Sequence, residues 1–148
     1  MNGTVLHATL IARRQDGWWR GVLLRGASGV GKSELALRCV DHGWRLAADD
    51  RVVTWTSAGR LFGRAPIPLV GLIEVRGIGV ASICNPPQAV QIVVAIDLED
   101  RPESIARYPE WRQTSILGLT CPCVSLYGRE VAAPDKVQFA FDHLNRRV

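Results

Sequence analysis

The chain has 148 residues, 47% of them hydrophobic and 22% charged, which suits one globular domain over residues 1–148 and excludes a second. The formal net charge is +4, but no basic run stands apart, so an anionic substrate or an acidic partner surface explains it as well as nucleic acid would. No apolar stretch reaches the roughly 20 residues of a membrane span and no signal segment is present, which predicts a cytoplasmic protein without a membrane partner.

The first part of the chain carries strand patterns around one strong helix pattern. Residues 5–12 are apolar and predict a strand, and the polar residues 13–17 end in Asp-Gly, which is typical of a hairpin. Residues 18–24 predict the next strand. A helix should begin at Lys32 or Ser33 and stop at Gly43, and residues 44–48 predict a short strand.

The remainder is again mostly strand, broken by proline and glycine. Prolines exclude regular strand pairing at 64–69, and the near-continuous apolar run 89–98 predicts a strand covered on both faces. The other predicted elements are a hairpin of 51–55 with 60–63, a segment 70–75 entering a turn at 76–79, an exposed loop or short helix at 99–112, strands at 115–119 and 121–127, and a helix from Pro134 through Leu144.

Strands therefore outnumber helices. A doubly wound fold would alternate strands with helices of about a dozen residues, and this chain does not. The prediction is a mixed α/β fold with a strand-rich core, few helices and a phosphate-binding loop (P-loop).

One motif points directly to chemistry, because the segment between the strand 18–24 and the helix matches G-x-x-x-x-G-K-[ST] at every fixed position. Backbone N–H groups of such a loop can hold phosphate oxygens at the positive end of a helix dipole, with Lys32 on the outer phosphates and Ser33 on magnesium. The alternative is a structural glycine-rich turn that binds no ligand, and the Lys-Ser pair disfavours it. The predicted nucleotide or polyphosphate site comprises Gly26, Ala27, Ser28, Gly29, Val30, Gly31, Lys32 and Ser33.

Carboxylates follow at two places. Asp49 and Asp50 end the strand 44–48, where one of them can face the loop; a capping or turn pair is an equal alternative. Glu74 and Arg76 precede a Gly-x-Gly turn and share one face of an extended chain, so a metal-directed carboxylate and a phosphate-directed guanidinium can meet in one pocket. A surface ion pair is the alternative there.

The four cysteines contain no C-x-x-C pair, and no histidine lies near them in the sequence. Reduced core thiols are favoured over a metal site. The cysteines are Cys39, Cys84, Cys121 and Cys123.

Taken together, the Lys-Ser-Glu end of the glycine motif, the step Ala48-Asp49-Asp50 and the stretch from Ile73 to Val80 resemble the HPr kinase/phosphorylase family. The likeness runs from about His7 to Asn145 and corresponds to that family's C-terminal catalytic domain, in a short form without the additional N-terminal domain. It implies a fold akin to phosphoenolpyruvate carboxykinase. It also implies phosphorylation of a serine of HPr, the carrier protein of the phosphotransferase system, with ATP or pyrophosphate, and phosphorolysis of phosphoserine-HPr by inorganic phosphate.

The resemblance also implies roles for single residues. Lys32 stabilises charge on the transferred group, Ser33 and Glu74 hold Mg²⁺, and Asp50 exchanges a proton with the serine. His7 matches an upstream family histidine, with packing in a strand as its alternative, whereas His42 and His143 are expected to be structural or exposed.

Arg107 is the best match to a later catalytic arginine, with Arg101 and Arg112 as neighbours that could replace it. A late loop needed for phosphorolysis falls at 126–129, where only Gly128 and Arg129 match. Relatives with both domains are hexamers, so a homo-oligomer is a further expectation. Two other functions stay open: a nucleotide-gated regulatory binding protein, and a kinase of the same fold that acts on another substrate.

Overall fold

The computed structural model describes residues 3–83 and 85–145, and these contain eleven strands and two α-helices. In chain order they are β1 (Thr4–Leu6), β2 (Thr9–Gln15), β3 (Trp18–Arg25), α1 (Lys32–Val40), β4 (Arg45–Ala48), β5 (Val52–Ser57), β6 (Arg60–Arg64), β7 (Leu72–Val75), β8 (Gly79–Ser82), β9 (Val90–Glu99), β10 (Arg112–Ile116), β11 (Leu119–Tyr127) and α2 (Ala133–Leu144).

Nine strands form one mixed sheet in the order β1-β5-β6-β9-β3-β2-β4, with β11 also pairing with β9 and carrying β10. Strands β3 and β9 run parallel at its centre, and β7 and β8 form a separate hairpin. Since α1 follows β3 directly, the glycine loop joins the end of a central strand to a helix. This strand-rich arrangement with two helices confirms the predicted mixed α/β class; the likeness to phosphoenolpyruvate carboxykinase stays a prediction.

The two faces of the sheet bury separate apolar clusters, as the period-2 spacing of strand side chains requires. In β3, Val22 and Leu24 pack beneath the helices, whereas Leu23 between them belongs to the opposite cluster with Leu10 and Val52. Trp44 and Phe141 meet edge to face with ring centroids 5.0 Å apart under α1 and α2. The apolar run 89–98 is thus covered on both faces, as predicted.

Several predicted boundaries were wrong. The run 5–12 forms two strands, because β1 pairs with β5 while β2 pairs with β3 and β4. The strand structure is interrupted between them at His7 and Ala8. The predicted strand 115–119 ends at Ile116, because a turn at 117–118 joins β10 to β11. The glycine predicted to end helix α1 is confirmed: Gly43 has φ 93° and donates to the Val40 carbonyl, while Trp44 donates to Cys39, which is the hydrogen-bond pattern of a left-handed helix C-terminus.

The hairpin of β7 and β8 gives the expected turn 76–79 a definite partner strand. Glu74 pairs with Val80 across it. The proline segment 64–69 contains a short 3-10 turn at Ile67–Leu69, and another at Pro102–Ser104 lies in the otherwise irregular segment 100–111. Within the described ranges, no helix is long and apolar enough to cross a membrane.

Candidate active site

The glycine loop, residues 26–33, turns the chain sharply from β3 into α1. Gly26 has φ 152°, and a Cβ built on it would lie 2.8 Å from Val30 Cγ1 and 3.1 Å from the Leu98 carbonyl oxygen, so a side chain does not fit there. Gly31 precedes the helix at φ 102°, which also favours glycine. These two glycines set the path of the loop.

Helix α1 starts at this loop without a side-chain cap. The Gly31 carbonyl accepts the first helical hydrogen bond from Leu35 N at 3.0 Å. The first N–H groups of a helix have no intrahelical acceptor and carry the positive end of its dipole. The start of α1 can therefore hold an anion.

Lys32 and Ser33 have defined partners. The buried Lys32 donates from Nζ to the carbonyl oxygens of Gly26 at 2.8 Å and Ala27 at 3.2 Å. Ser33 donates from Oγ to Oδ1 of Asp49 at 2.7 Å. Since the Ser33 proton points to a carboxylate, the oxygen lone pairs are left to accept or to ligate.

The adjacent aspartates have different surroundings. Asp49 is buried and also accepts from Thr9 Oγ1 at 3.0 Å and from the backbone N–H of Glu74 at 3.3 Å. Asp50 is exposed, has φ 67°, and places Oδ1 2.7 Å from Nε2 of His7. His7 thus contacts Asp50 from the bend that interrupts the strand structure between β1 and β2.

A cavity of about 190 Å³ brings these groups together. Asp50 lines it and Asp49 does not, as expected for two adjacent carboxylates. Glu74 and Arg76 line the same cavity, so they meet the loop as predicted. The full lining is His7, Ser28, Gly29, Gly31, Lys32, Ser33, Glu34, Asp50, Glu74 and Arg76.

Gly26, Ala27 and Val30 belong to the predicted loop but not to the lining of the cavity. Gly26 packs on Leu98, the Ala27 carbonyl receives Lys32, and Val30 is buried in the core. These three shape the loop from behind. Arg76 lies 4.0 Å from Glu34 in an exposed pair, a weak contact that leaves its guanidinium accessible.

The predicted catalytic arginine lies elsewhere in this structure. Arg107 sits over the ring of Tyr108 and lines a cavity between the segment 100–111, β11 and α2. Arg112 donates to Asp97 at 2.8 Å and to Ser125, and Arg101 is an exposed residue before the Pro102–Ser104 turn. None of these three lines the glycine-loop cavity, so the role of Arg107 stays a prediction.

Arg129 is the guanidinium that contacts the loop itself. It donates to the Gly29 carbonyl and, at 2.8 Å, to Asp100 Oδ1. Arg38 of α1 fixes the neighbouring backbone by donating to the Gly128 and Glu130 carbonyls. The Gly-Arg match at 128–129 was the sequence signal for this contact, although Arg129 was not among the predicted site residues.

Asp49 is the second residue that the predicted site lacked. Its signal was weak: a carboxylate at the end of an apolar strand, directly beside the favoured Asp50. Only the pairing of β2 with β4 and the approach of β7 show that Asp49 is buried against Ser33 and Glu74.

The three described cysteines are buried free thiols. Burial raises the pKa of Cys39 to about 12 and that of Cys121 to about 11, and it also raises the pKa of Cys123. Cys84 lies outside the described residues. Within residues 3–83 and 85–145, no group of three or more His, Cys, Asp or Glu side chains is arranged to hold a metal. His42 and His143 each contact a backbone carbonyl of their own helical turn, as expected of structural residues.

Known proteins match this chain both in sequence and in fold. The HPr kinase/phosphorylase of Exiguobacterium sibiricum is 46% identical over 81 residues, which are 54% of this chain and 25% of that protein. The Lactobacillus acidophilus enzyme of the same name is 54% identical over 66 residues, 44% of this chain and 20% of that protein. The chain thus spans about a quarter of the length of these curated relatives.

A solved structure agrees over nearly the whole chain. The Hpr(Ser) kinase/phosphatase from Coxiella burnetii superposes with a TM-score of 0.80 at 25% identity, covering 97% of this chain and 96% of that one. The profile of the HPr Serine kinase C-terminal domain matches residues 4–126. The resemblance seen in the motifs is confirmed: the chain belongs to the HPr serine kinase C-terminal domain family.

Proposed function

We propose that this protein transfers the terminal phosphoryl group of ATP to a serine of HPr, with Mg²⁺, and that it also catalyses phosphorolysis of phosphoserine-HPr. One observation carries the proposal. Lys32, Ser33, Asp50 and Glu74 line a single cavity at the start of α1. Phosphoryl transfer requires such a set, because its catalysis is mostly positioning and charge stabilisation.

The residues present fit a nucleotide polyphosphate. The uncapped start of α1 supplies backbone donors, and Lys32 adds a positive charge at the same place. Among the described residues, the partners of the Lys32 ammonium are loop carbonyls, so it can turn to phosphate oxygens without breaking an ion pair. Arg76 adds a second positive charge to the lining of the cavity.

The same cavity also fits Mg²⁺. Its oxygen donors are the Ser33 hydroxyl and the Glu74 carboxylate, and Mg²⁺ is usually bound by one or two carboxylates together with substrate phosphates. Asp49, which accepts the hydrogen bond of the Ser33 hydroxyl, would orient that hydroxyl. The ion would neutralise phosphate charge during transfer.

Asp50 is the proposed proton acceptor. His7 holds its Oδ1, while Oδ2 has no hydrogen-bond partner among the residues that the structure describes. That free oxygen would take the serine proton as the serine oxygen bonds to phosphorus and ADP leaves. In the reverse direction phosphate attacks phosphoserine, pyrophosphate forms, and Asp50 returns the proton to the serine oxygen.

The phosphorylase half of the proposal relies on Arg129. A loop that contributes to phosphorolysis must reach the phosphate site, and Arg129 contacts the Gly29 carbonyl at its rim. Arg107 is proposed as a second guanidinium from the resemblance alone, and cytoplasmic location and oligomerisation likewise remain proposals.

The experiment incubates the purified chain with MgATP and HPr and follows the mass of HPr. We expect a gain of one phosphate that is lost in Asp50→Asn and kept in Asp16→Asn, a matched change in an exposed hairpin turn. Excess inorganic phosphate should then remove the added group and release pyrophosphate. If ATP binds but HPr gains no mass with either ATP or pyrophosphate, the kinase proposal is wrong, and a nucleotide-gated binding protein or another phosphoacceptor takes its place.

A further inference from the structure

The pairing along one edge of β9 is divided between two strands, β6 and β11. On the other edge, β3 pairs with β9 from Gln91 to Asp97. On the divided edge, β6 pairs only at Val90 and Gln91, and β11 pairs only from Ala95 onward. Residues 92–94 therefore have no strand partner on this edge within the described chain.

A cavity of about 450 Å³ occupies this division, larger than the 190 Å³ of the glycine-loop cavity. Its apolar walls include Leu61 of β6 and Ile92 of β9. It lies near the beginning of β3, whereas the glycine loop follows the end of that strand. At about 3.3 Å per residue, Arg20 and Gly26 are about 20 Å apart, so the two cavities are distinct.

The polar groups of this cavity are positively charged or neutral. Arg20 and Arg60 line it together with the amides of Gln91 and Asn145, and none of the lining residues that the structure describes is acidic. Arg60 is exposed and forms no ion pair with any described residue. The described wall of the cavity thus carries two arginine charges, of which that of Arg60 has no carboxylate partner among the described residues.

Arg20 has an unused donor. Its Nη1 donates to Gln15 Oε1 at 2.8 Å and lies 3.6 Å from Asp16, an exposed carboxylate outside the cavity lining. Its Nε is buried and has no hydrogen-bond partner among the residues that the structure describes. A buried donor without a partner is unfavourable, and a ligand oxygen would supply the missing acceptor.

We propose that this cavity binds a small organic oxyanion, a phosphate or a carboxylate on an apolar body. The arginine forks match either group, and the volume is in the range of small-molecule sites. The apolar walls favour an organic anion over inorganic phosphate. This site is independent of the proposed kinase activity.

The test measures binding of phenyl phosphate and benzoate by NMR titration of ¹⁵N-labelled protein. The Lys32→Ala variant serves as background, because it weakens anion binding at the glycine loop. We expect the amide chemical shifts of residues 91–93 and 119–121 to change. The probe that binds with the lower Kd identifies whether the cavity prefers a phosphate or a carboxylate. Benzyl alcohol, which lacks the charge, and inorganic phosphate, which lacks the ring, should bind more weakly.

Variants decide the assignment. Arg20→Gln and Arg60→Gln should each weaken binding roughly tenfold or more, whereas Arg51→Gln, an exposed arginine outside the cavity, should not. Arg60 has no ion pair to lose, so its variant decides the question even if Arg20→Gln fails to fold. The proposal is overturned if neither probe shifts these amides at millimolar concentration, or if binding is equal in Arg60→Gln.

Discussion

The hydroxyl of Ser33 donates to the carboxylate of Asp49 at 2.7 Å, and this contact ties the start of α1 to the end of β4. Asp49 also accepts hydrogen bonds from Thr9 on β2 and from the backbone of Glu74 on β7. One buried carboxylate therefore aligns four elements around the cavity. It can position the proposed magnesium ligands Ser33 and Glu74 without touching the substrate.

We predict that Asp49→Asn destabilises the protein. The amide can keep some of these contacts, but it loses the charge that strengthens all three. Hydrogen bonds to charged groups contribute about 1.5–3 kcal/mol each, so a loss of about 1–3 kcal/mol in unfolding free energy is expected. Urea denaturation measures it, with Asp16→Asn as the exposed control; equal midpoints for wild type and Asp49→Asn would contradict the prediction.

His7 should act as a positioning residue for Asp50. Its hydrogen bond holds one carboxylate oxygen, in a site where both side chains are about half exposed. We expect His7→Ala to lower kcat for HPr phosphorylation by about tenfold or less, and Asp50→Asn to lower it by about 10²–10⁴-fold.

Nucleotide affinity separates these roles from simple unfolding. Neither variant should change the Kd for MgATP by more than about twofold, because neither side chain is proposed to hold the phosphates. If His7→Ala abolished nucleotide binding while the protein stayed folded, the positioning role would be wrong.

Asp97 should make stability depend on pH. Burial alone would raise the pKa of this carboxyl, but hydrogen bonds from Arg25 and Arg112 outweigh burial and hold the pKa below its usual value. A carboxyl with a depressed folded pKa stabilises the protein above its unfolded pKa of about 3.9, and that contribution is lost as pH falls through the folded value.

The comparison variant is Asp97→Asn. At neutral pH we expect it to lower the unfolding free energy by about 1–2 kcal/mol, at the low end for charged hydrogen bonds because the side chain is partly exposed. The difference from wild type should shrink below about pH 4 in urea titrations. A difference that stays constant from pH 7 to pH 3 would show that Asp97 acts through packing and not through its charge.

The buried cysteines should resist alkylation in the native protein. With the pKa of Cys121 near 11, about one thiol in a thousand is ionised at pH 8, and the fraction is smaller for Cys39. Cys84→Ser removes the cysteine outside the described residues. In that variant, iodoacetamide should label three cysteines in urea and none in buffer over the same time, as read by intact mass; native labelling at the rate of a free thiol would contradict the burial.

The features predicted from the sequence alone are those that depend on residues close together in the chain. The glycine loop follows from residues that need positive φ or lack space for a side chain, and the turn at Asp16 and Gly17 follows from its dipeptide. The strand-rich class and the doubly covered β9 follow from the spacing of apolar residues. Lys32 and Ser33 were predicted from the glycine motif, and Asp50 and Glu74 from the family resemblance; all four line one cavity, while their roles remain predictions.

Only the tertiary structure decided which distant groups meet. It broke the run 5–12 at His7, buried Asp49 rather than Asp50, and placed Arg107 away from the loop that Arg129 contacts. It also divided the sheet beside β9 and so formed the cavity of Arg20 and Arg60. These features depend on pairings between residues far apart in the chain, whose free energies come from packing of the whole core, and no local pattern encodes them.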